Sequence, residues 1–198
     1  MFLEDSLFFL GFASMLLGGY IHIPLEMMGW KTKKRGLYYY AEVHQKELNI
    51  AIHIIGMPWT VYGILLWFPA LFQLTRWNAH IMQVCLFIGY MTHYSRVSID
   101  DALFASIMYA PSLYSAMEHY SYVDPFHSFT YGFIVSFVAL FLQEVLGHSL
   151  SGDPQSRLEA VPNAILYAIL FSARSLRKRI LRLLSCVRTG CGRKWWRF

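Results

Sequence analysis

The sequence predicts an all-α, multi-pass transmembrane bundle of about four to six membrane segments, with a basic amphipathic helix at its C-terminal end. Three observations predict it. The 198 residues are 56% hydrophobic and only 15% charged, against about 45–50% and about 25% in an ordinary soluble domain. Several apolar runs approach the ~20 residues that cross a bilayer. The net charge of +5 is gathered beside those runs, in Lys31, Lys33, Lys34 and Arg35, and again in Arg174, Arg177, Lys178, Arg179, Arg182, Arg188, Arg193, Lys194 and Arg197. Basic clusters next to apolar helices set topology and contact anionic lipid. They do not make the soluble basic face that nucleic acid requires, so nucleic acid is excluded as a partner and the membrane is the partner expected.

Leu7 to Met28 is the first apolar run. Glu4 and Asp5 stand where a signal peptide carries base, so the run reads as a membrane segment. Acid before it and base after it place the N-terminus outside the cytosol. Gly36 to His44 reads as a short interfacial helix, with Tyr38, Tyr39 and Tyr40 in the headgroup belt. Asn49 to Leu74 is the strongest span, kinked at Pro58 and Pro69. His80 to His93 is a weaker span, and Asp101 to Glu118 is another, broken by Pro111. Phe129 to Gly147 is a clear span that runs into a polar turn, Ser149 to Ser156. Val161 to Phe171 is too short to cross easily. From Ser175 onward Leu176, Ile180, Leu183, Leu184 and Val187 recur at helical spacing among the basic residues, the pattern of a helix lying in the interface. Trp195, Trp196 and Phe198 end it as an aromatic anchor. The chain thus divides into 1–35, an N-terminal membrane segment and basic turn; 36–173, the main membrane domain; and 174–198, a basic tail that adheres to the surface and does not determine the fold. Cys85, Cys186 and Cys191 are odd in number and without a spacing pattern, which reads as free thiols.

Alternating the spans through the membrane brings His44, His53, His93 and His148 toward one face, the cytosolic one. Along a single helix at ~1.5 Å per residue, His127 lies about 30 Å from His148. Neutral imidazole is the commonest protein ligand for a catalytic metal, so this convergence points to metal chemistry at a membrane surface, on an apolar substrate. His44 and His53 are nine residues apart, a half turn out of phase on one helix. A break around Gln45 to Glu47 would let His44 approach from a preceding segment. Asn49 and His53 are i, i+4 neighbours, as are Glu144 and His148. Asn49 would orient His53 or bond substrate. Glu144, ionisable within an apolar run, either ligates metal, accepts the other N–H of a ligand histidine, or reaches water. His93 is a further candidate by its depth, whereas His22, His80, His119 and His127 read as hydrogen-bonded core residues. Zinc-protease, zinc-finger, desaturase, serine-hydrolase and phosphate-loop signatures are absent.

The array His44-x4-Asn49-x3-His53-x2-Gly56-x-Pro58, followed by an apolar helix ending in Gly147-His148, resembles the Mpo1-like proteins. The resemblance covers roughly 38–171. After Gly-His that family commonly carries Phe-Glu and then Arg-x-Pro-Ala-Leu-x-Asp-Asn. Here Ser149 to Ser156 replaces the first part, and Arg157 to Asn163 echoes the second loosely. The family's glutamate has no direct counterpart, and Glu144 or Glu159 are the substitutes. The resemblance implies an Fe(II)-dependent dioxygenase of the endoplasmic-reticulum membrane. Its substrates would be O2 and a 2-hydroxy long-chain fatty acid, which it shortens by one carbon. His44, His53 and His148 would be metal ligands, with Asn49 and Glu144 orienting them or the substrate. From a different class, the chain also reads as a non-enzymatic membrane protein that binds lipid or partners through its basic tail. An ion or proton carrier fits less well, because few charges lie mid-membrane.

Overall fold

The computed structural model describes residues 33–154 and 161–189, where all regular structure is helical. The helices are α1 (Lys33–Glu42), α2 (Glu47–Leu71), α3 (Arg76–Ser95), α4 (Ile99–Tyr122), α5 (Pro125–Phe141), a π-helical turn (Leu142–Gly147), α6 (His148–Ser151) and α7 (Val161–Thr189). The expected segment Leu7 to Met28, Cys191 and the terminal aromatic anchor lie outside the described residues. Among the described residues, two stretches are long and apolar enough to cross a membrane: Glu47–Leu71 and the continuous helical run Pro125–Ser151. They coincide with the two strongest spans read from the sequence.

α2 is the centre of the bundle and packs against α3, α4, α5, α7 and the π turn. It stays helical through Pro58 and Pro69. A proline removes the N–H that would bond the carbonyl four residues back. For Pro69 that carbonyl is Leu65 O, and the buried Gln83 amide of α3 donates to it at 2.9 Å. α4 is likewise unbroken at Pro111, contrary to the sequence expectation. Its adjoining Ser112 hydroxyl donates to the carbonyl of Pro58 at 2.9 Å, so the two proline regions are pinned to one another. α4 starts at Ser98, whose side chain accepts from Asp101 N, and α5 starts at Asp124, which accepts from Phe126 N and His127 N with Pro125 following it. These are side-chain caps on otherwise orphaned helix N–H groups.

α2 and α5 approach at backbone distance because small residues face one another. A Cβ on Gly132 would fall 2.6 Å from Leu66 Cβ and 2.8 Å from Gly63 O, and a Cβ on Gly63 would fall 2.6 Å from Gly132 O. Small residues of this kind let apolar helices pack where no hydrophobic drive separates protein from lipid. Gly132→Val is therefore expected to cost about 3 kcal/mol or more by overpacking a contact that is largely backbone. Gly152→Ala, where a Cβ meets nothing and only φ +72° opposes it, should cost about 1 kcal/mol. Thermal unfolding in detergent compares the two.

The C-terminal region departs most from the sequence reading. α7 is one helix of 29 residues that passes without interruption through 173, where composition alone divides domain from tail. Tyr167, Leu170, Phe171 and Ala173 are buried in the core. Beyond them Arg177 Nε and Nη2 both reach Asp101 Oδ1 at 2.8 Å, and Arg174 Nε lies 3.5 Å from Asp101 Oδ2. Arg179 pairs with Glu47 at the start of α2. The first part of the expected tail is thus bolted to the bundle. Its exposed Leu181, Leu183 and Leu184 lie further on.

Candidate metal centre

His44 sits in the short loop between α1 and α2, His53 on the second turn of α2, Glu144 in the π turn and His148 at the start of α6. All three histidines are 2% exposed or less. One potential ligand atom from each of the four residues falls within 4.8 Å of the others. His44 Nε2 is 3.0 Å from His148 Nε2, His53 Nε2 is 3.4 Å from Glu144 Oε1, and His148 Nε2 is 3.6 Å from Glu144 Oε2. Ligands bound at ~2.0–2.2 Å stand roughly 2.8–3.6 Å apart when adjacent in octahedral or tetrahedral arrangements.

The tautomers can be read from the carbonyls. His44 Nδ1 lies 2.7 Å from Tyr40 O, and His53 Nδ1 lies 3.0 Å from Asn49 O. A carbonyl oxygen only accepts, so each Nδ1 carries the hydrogen and each Nε2 turns a lone pair inward. His53 Nε2 then faces a carboxylate, two electron-rich atoms opposed in a buried site. A shared cation resolves that opposition. A backbone carbonyl holding the far nitrogen of a histidine is also the usual support for a metal ligand. The donor set and its supports therefore fit a metal ion. His148 Nδ1 is buried without a hydrogen-bond partner among the described residues.

Three features of the site are not evident in the sequence. Tyr40 is not in a headgroup belt: it is buried, stacks on His44 at 3.9 Å between ring centres, and its hydroxyl donates to Glu144 Oε1 at 3.3 Å. It belongs to the inward face of α1 with Leu37, while Tyr38 faces out. Its one clue in the sequence is the i, i+4 relation to His44. Asp153 falls in what the sequence shows only as a polar turn, yet it is buried and accepts from Lys46 N and from Asn49 Nδ2, each at 3.0 Å. Gly152, in the left-handed conformation at φ 72°, turns the chain to bring it there. The π turn itself leaves no residue pattern; such turns are frequent at functional sites.

The structure separates two contributions of Asn49. Its backbone carbonyl orients His53, while its side chain grips Asp153 and so ties the His44 loop to the arm carrying His148. His93 is buried on α3 but does not join the cluster. His80 bonds Met117 O, and His119 bonds the Tyr62 hydroxyl. His127 is no core residue: it is exposed at the α5 N-terminus beside its capping Asp124. His22 and Glu159 lie outside the described residues.

Burial, reinforced by the neighbouring His53, lowers the His44 pKa from 6.5 to about 4, with Glu144 opposing. The ring is consequently neutral and ready to ligate near pH 7. Between those two pH values the unfolded chain binds a proton that the folded chain refuses, so stability rises with pH. Metal-free protein is expected to be most stable above about pH 6.5 and to lose a few kcal/mol as pH falls toward 4. The dependence should flatten in His44→Gln. Denaturant midpoints across this range provide the measurement. Asp153 is shifted the same way for a different reason: burial pushes its carboxyl up, but the bonds from Asn49 and the Lys46 backbone outweigh that and hold it below its ordinary range, so it too contributes stability that is lost as pH falls.

Among the described residues, fold and site together define an all-helical protein with two helices long and apolar enough to cross a membrane and a cluster of three buried histidines and one glutamate that can hold a metal ion. The chain matches no protein-family model, no curated protein and no solved structure.

Proposed function

We propose that this protein is an iron(II)-dependent dioxygenase of the endoplasmic-reticulum membrane that converts a 2-hydroxy long-chain fatty acid to the acid one carbon shorter. The observation that carries the proposal is the convergence of His44, His53, Glu144 and His148 at the ends of the two most apolar helices. Imidazole and carboxylate donors suit iron(II), manganese or zinc better than a thiolate-seeking metal. The motif resemblance to the Mpo1-like proteins selects iron and the substrate. A multi-pass arrangement, with the centre on the cytosolic side, is part of the same proposal. α3 and α4, at 20 and 24 residues, reach about 30 and 36 Å. Their outer faces carry exposed Trp77, Ile81, Ile88, Leu103, Ile107 and Tyr114, which water would penalise and lipid would cover.

The overall reaction balances. A 2-hydroxy acid and O2 yield the shortened acid, carbon dioxide and water, the four electrons leaving the two terminal carbons being those that O2 takes up. A ferrous ion with open positions would supply O2 activation and an attachment point for hydroxyl and carboxylate. The protein's own groups hold and enclose the site. Tyr40 and Asn49 lock the orientation of His44 and His53 through their carbonyls, and the Tyr40 hydroxyl steadies Glu144. Phe171 of α7 packs over His44 and Tyr40, keeping water out. The Glu144 side chain, at 18% exposure, is the most accessible of the four donors.

Purified protein carrying no His tag, supplied with iron(II) and O2, should shorten a 2-hydroxy long-chain fatty acid and leave the same acid without its 2-hydroxyl largely untouched. Absence of bound metal, or equal handling of both acids, would overturn the proposal. The second reading, a non-enzymatic lipid-binding protein, is favoured by one observation: the distal part of α7 exposes Leu181, Leu183 and Leu184 among basic residues. Protein without metal or turnover that still binds anionic vesicles through this helix would support it.

A further inference from the structure

We infer that Tyr40 is a positioning residue whose hydroxyl, donated to Glu144, biases the metal centre toward a divalent over a trivalent ion. This rests on the cluster holding a metal and is independent of the reaction proposed above. Tyr40 touches three of the four donor residues. Its ring stacks on His44 at 3.9 Å between centres and 18° between planes, and meets His53 edge-on at 6.0 Å. Its hydroxyl donates to Glu144 Oε1 at 3.3 Å, and its backbone carbonyl accepts from His44 Nδ1 at 2.7 Å. The residue is buried, and Phe171 of α7 packs edge-on against its ring at 5.2 Å.

The direction of the bias follows from charge. Imidazole ligates as a neutral donor, so Glu144 supplies the one negative charge among the four residues. A hydroxyl hydrogen on that carboxylate draws electron density from it. It also turns the positive end of the phenol dipole toward the site. Both effects penalise the ion of higher charge more. Burial strengthens them, because little water is present to screen the dipole. Supporting contacts of this kind orient a ligand and tune its metal. At 3.3 Å the bond is longer than the ~2.5–2.7 Å of a strong O–H···O⁻ contact, which holds the bias to about ten-fold. The hydroxyl can be separated from everything else Tyr40 does. Phenylalanine keeps the ring stack and the backbone carbonyl and deletes the hydroxyl alone. Tyr38, on the outward side of α1 and exposed, offers the same deletion away from the site.

The test uses full-length protein in detergent, loaded with iron because that metal takes both charges. The ferric–ferrous potential is measured by a mediated redox titration, read from the electron paramagnetic resonance signal of the ferric form. Tyr40→Phe should bind iron with unchanged helix content and lower the potential by ~59 mV, a ten-fold loss of preference for the ferrous ion in a one-electron couple. Placing 3-fluorotyrosine at position 40, a stronger donor of nearly the same shape, should raise it. Tyr38→Phe should leave it within ~10 mV, less than a two-fold change. A role confined to packing would not move the two position-40 proteins in opposite directions. Should Tyr40→Phe not fold, the fluorinated protein carries the test, and an unchanged or lowered potential there counts against the hydroxyl. An unchanged or raised potential in Tyr40→Phe, or shifts of one sign in both proteins, would overturn the inference. Wild-type protein that takes up no iron removes the metal centre and the inference together. Iron bound at equal potentials removes the inference alone and leaves the oxygenase proposal to its own test.

Discussion

If the proposed oxygenase holds, His53→Ala is expected to leave the protein folded but unable to hold a metal at this cluster, and turnover should vanish with it. The side chain is completely buried on α2, anchored through Nδ1 to Asn49 O, with Nε2 aimed at Glu144. No other histidine among the described residues can take its place: His93 lies outside the cluster, and His80, His119 and His127 are committed elsewhere. Removing one of four donors also leaves Glu144 facing a gap. Asn49→Ala should do less. It keeps the carbonyl that orients His53 and loses only the clasp on Asp153, so a 10–100-fold fall in affinity or rate, roughly that of a lost supporting contact, is expected. Elemental analysis of both variants beside the wild type, with circular dichroism to confirm helix content, decides this. Wild-type metal content in His53→Ala would show that the four-residue cluster is not the metal site.

What the sequence makes legible follows from how local each cause is. α2 and the α5 run are readable because uniform apolarity over about twenty residues is the direct signature of a helix long enough to span lipid. The meeting of His44, His53 and His148 is expected from counting antiparallel helices joined by short turns, although the same count also brings in His93, which packing leaves outside the cluster. Asp153 is not, since its partners Lys46 and Asn49 are more than a hundred positions away in the chain. Tyr40 is misplaced by sequence reasoning because aromatic residues beside lysines fit an interface equally well, and only the packed helix shows which face turns inward. Of the prolines only Pro111 misleads, since it reads as a breaker and α4 runs through it. The span read through Pro69 stays helical, with Gln83 on the next helix donating to Leu65 O. At 173 a change of composition imitates a change of structure. No glycine or proline interrupts 163–189, so nothing local stops the helix there, and its charged half stays in register with the bundle.

That continuity reverses an expectation about the tail. Deleting everything after Ala173 should destabilise the fold severely, although on composition alone the segment looks dispensable. Asp101, on the first turn of α4, has a side chain only 2% exposed, and its ion-pair partners are Arg174 and Arg177. Each arginine retains some water contact, at 32% and 25% exposure, but the carboxylate does not. Removing one side of a buried ion pair strands the other charge and typically costs about 3–5 kcal/mol, far more than the pair contributes over an apolar substitute. The helix dipole of α4 offsets part of this, by about 1 kcal/mol at most for a partly shielded first-turn carboxylate. Ending the chain after Arg179 keeps both partners and discards the exposed Leu181, Leu183 and Leu184, so that protein should stay near wild-type stability while losing affinity for anionic vesicles. Asp101→Asn in the shorter chain should recover much of the loss, because it removes the stranded charge while keeping the shape. Thermal midpoints in detergent for the three proteins carry the test. Equal stability of the chains ending at 173 and 179 would mean that the Asp101 pair contributes nothing to the fold and that the tail is surface adhesive alone.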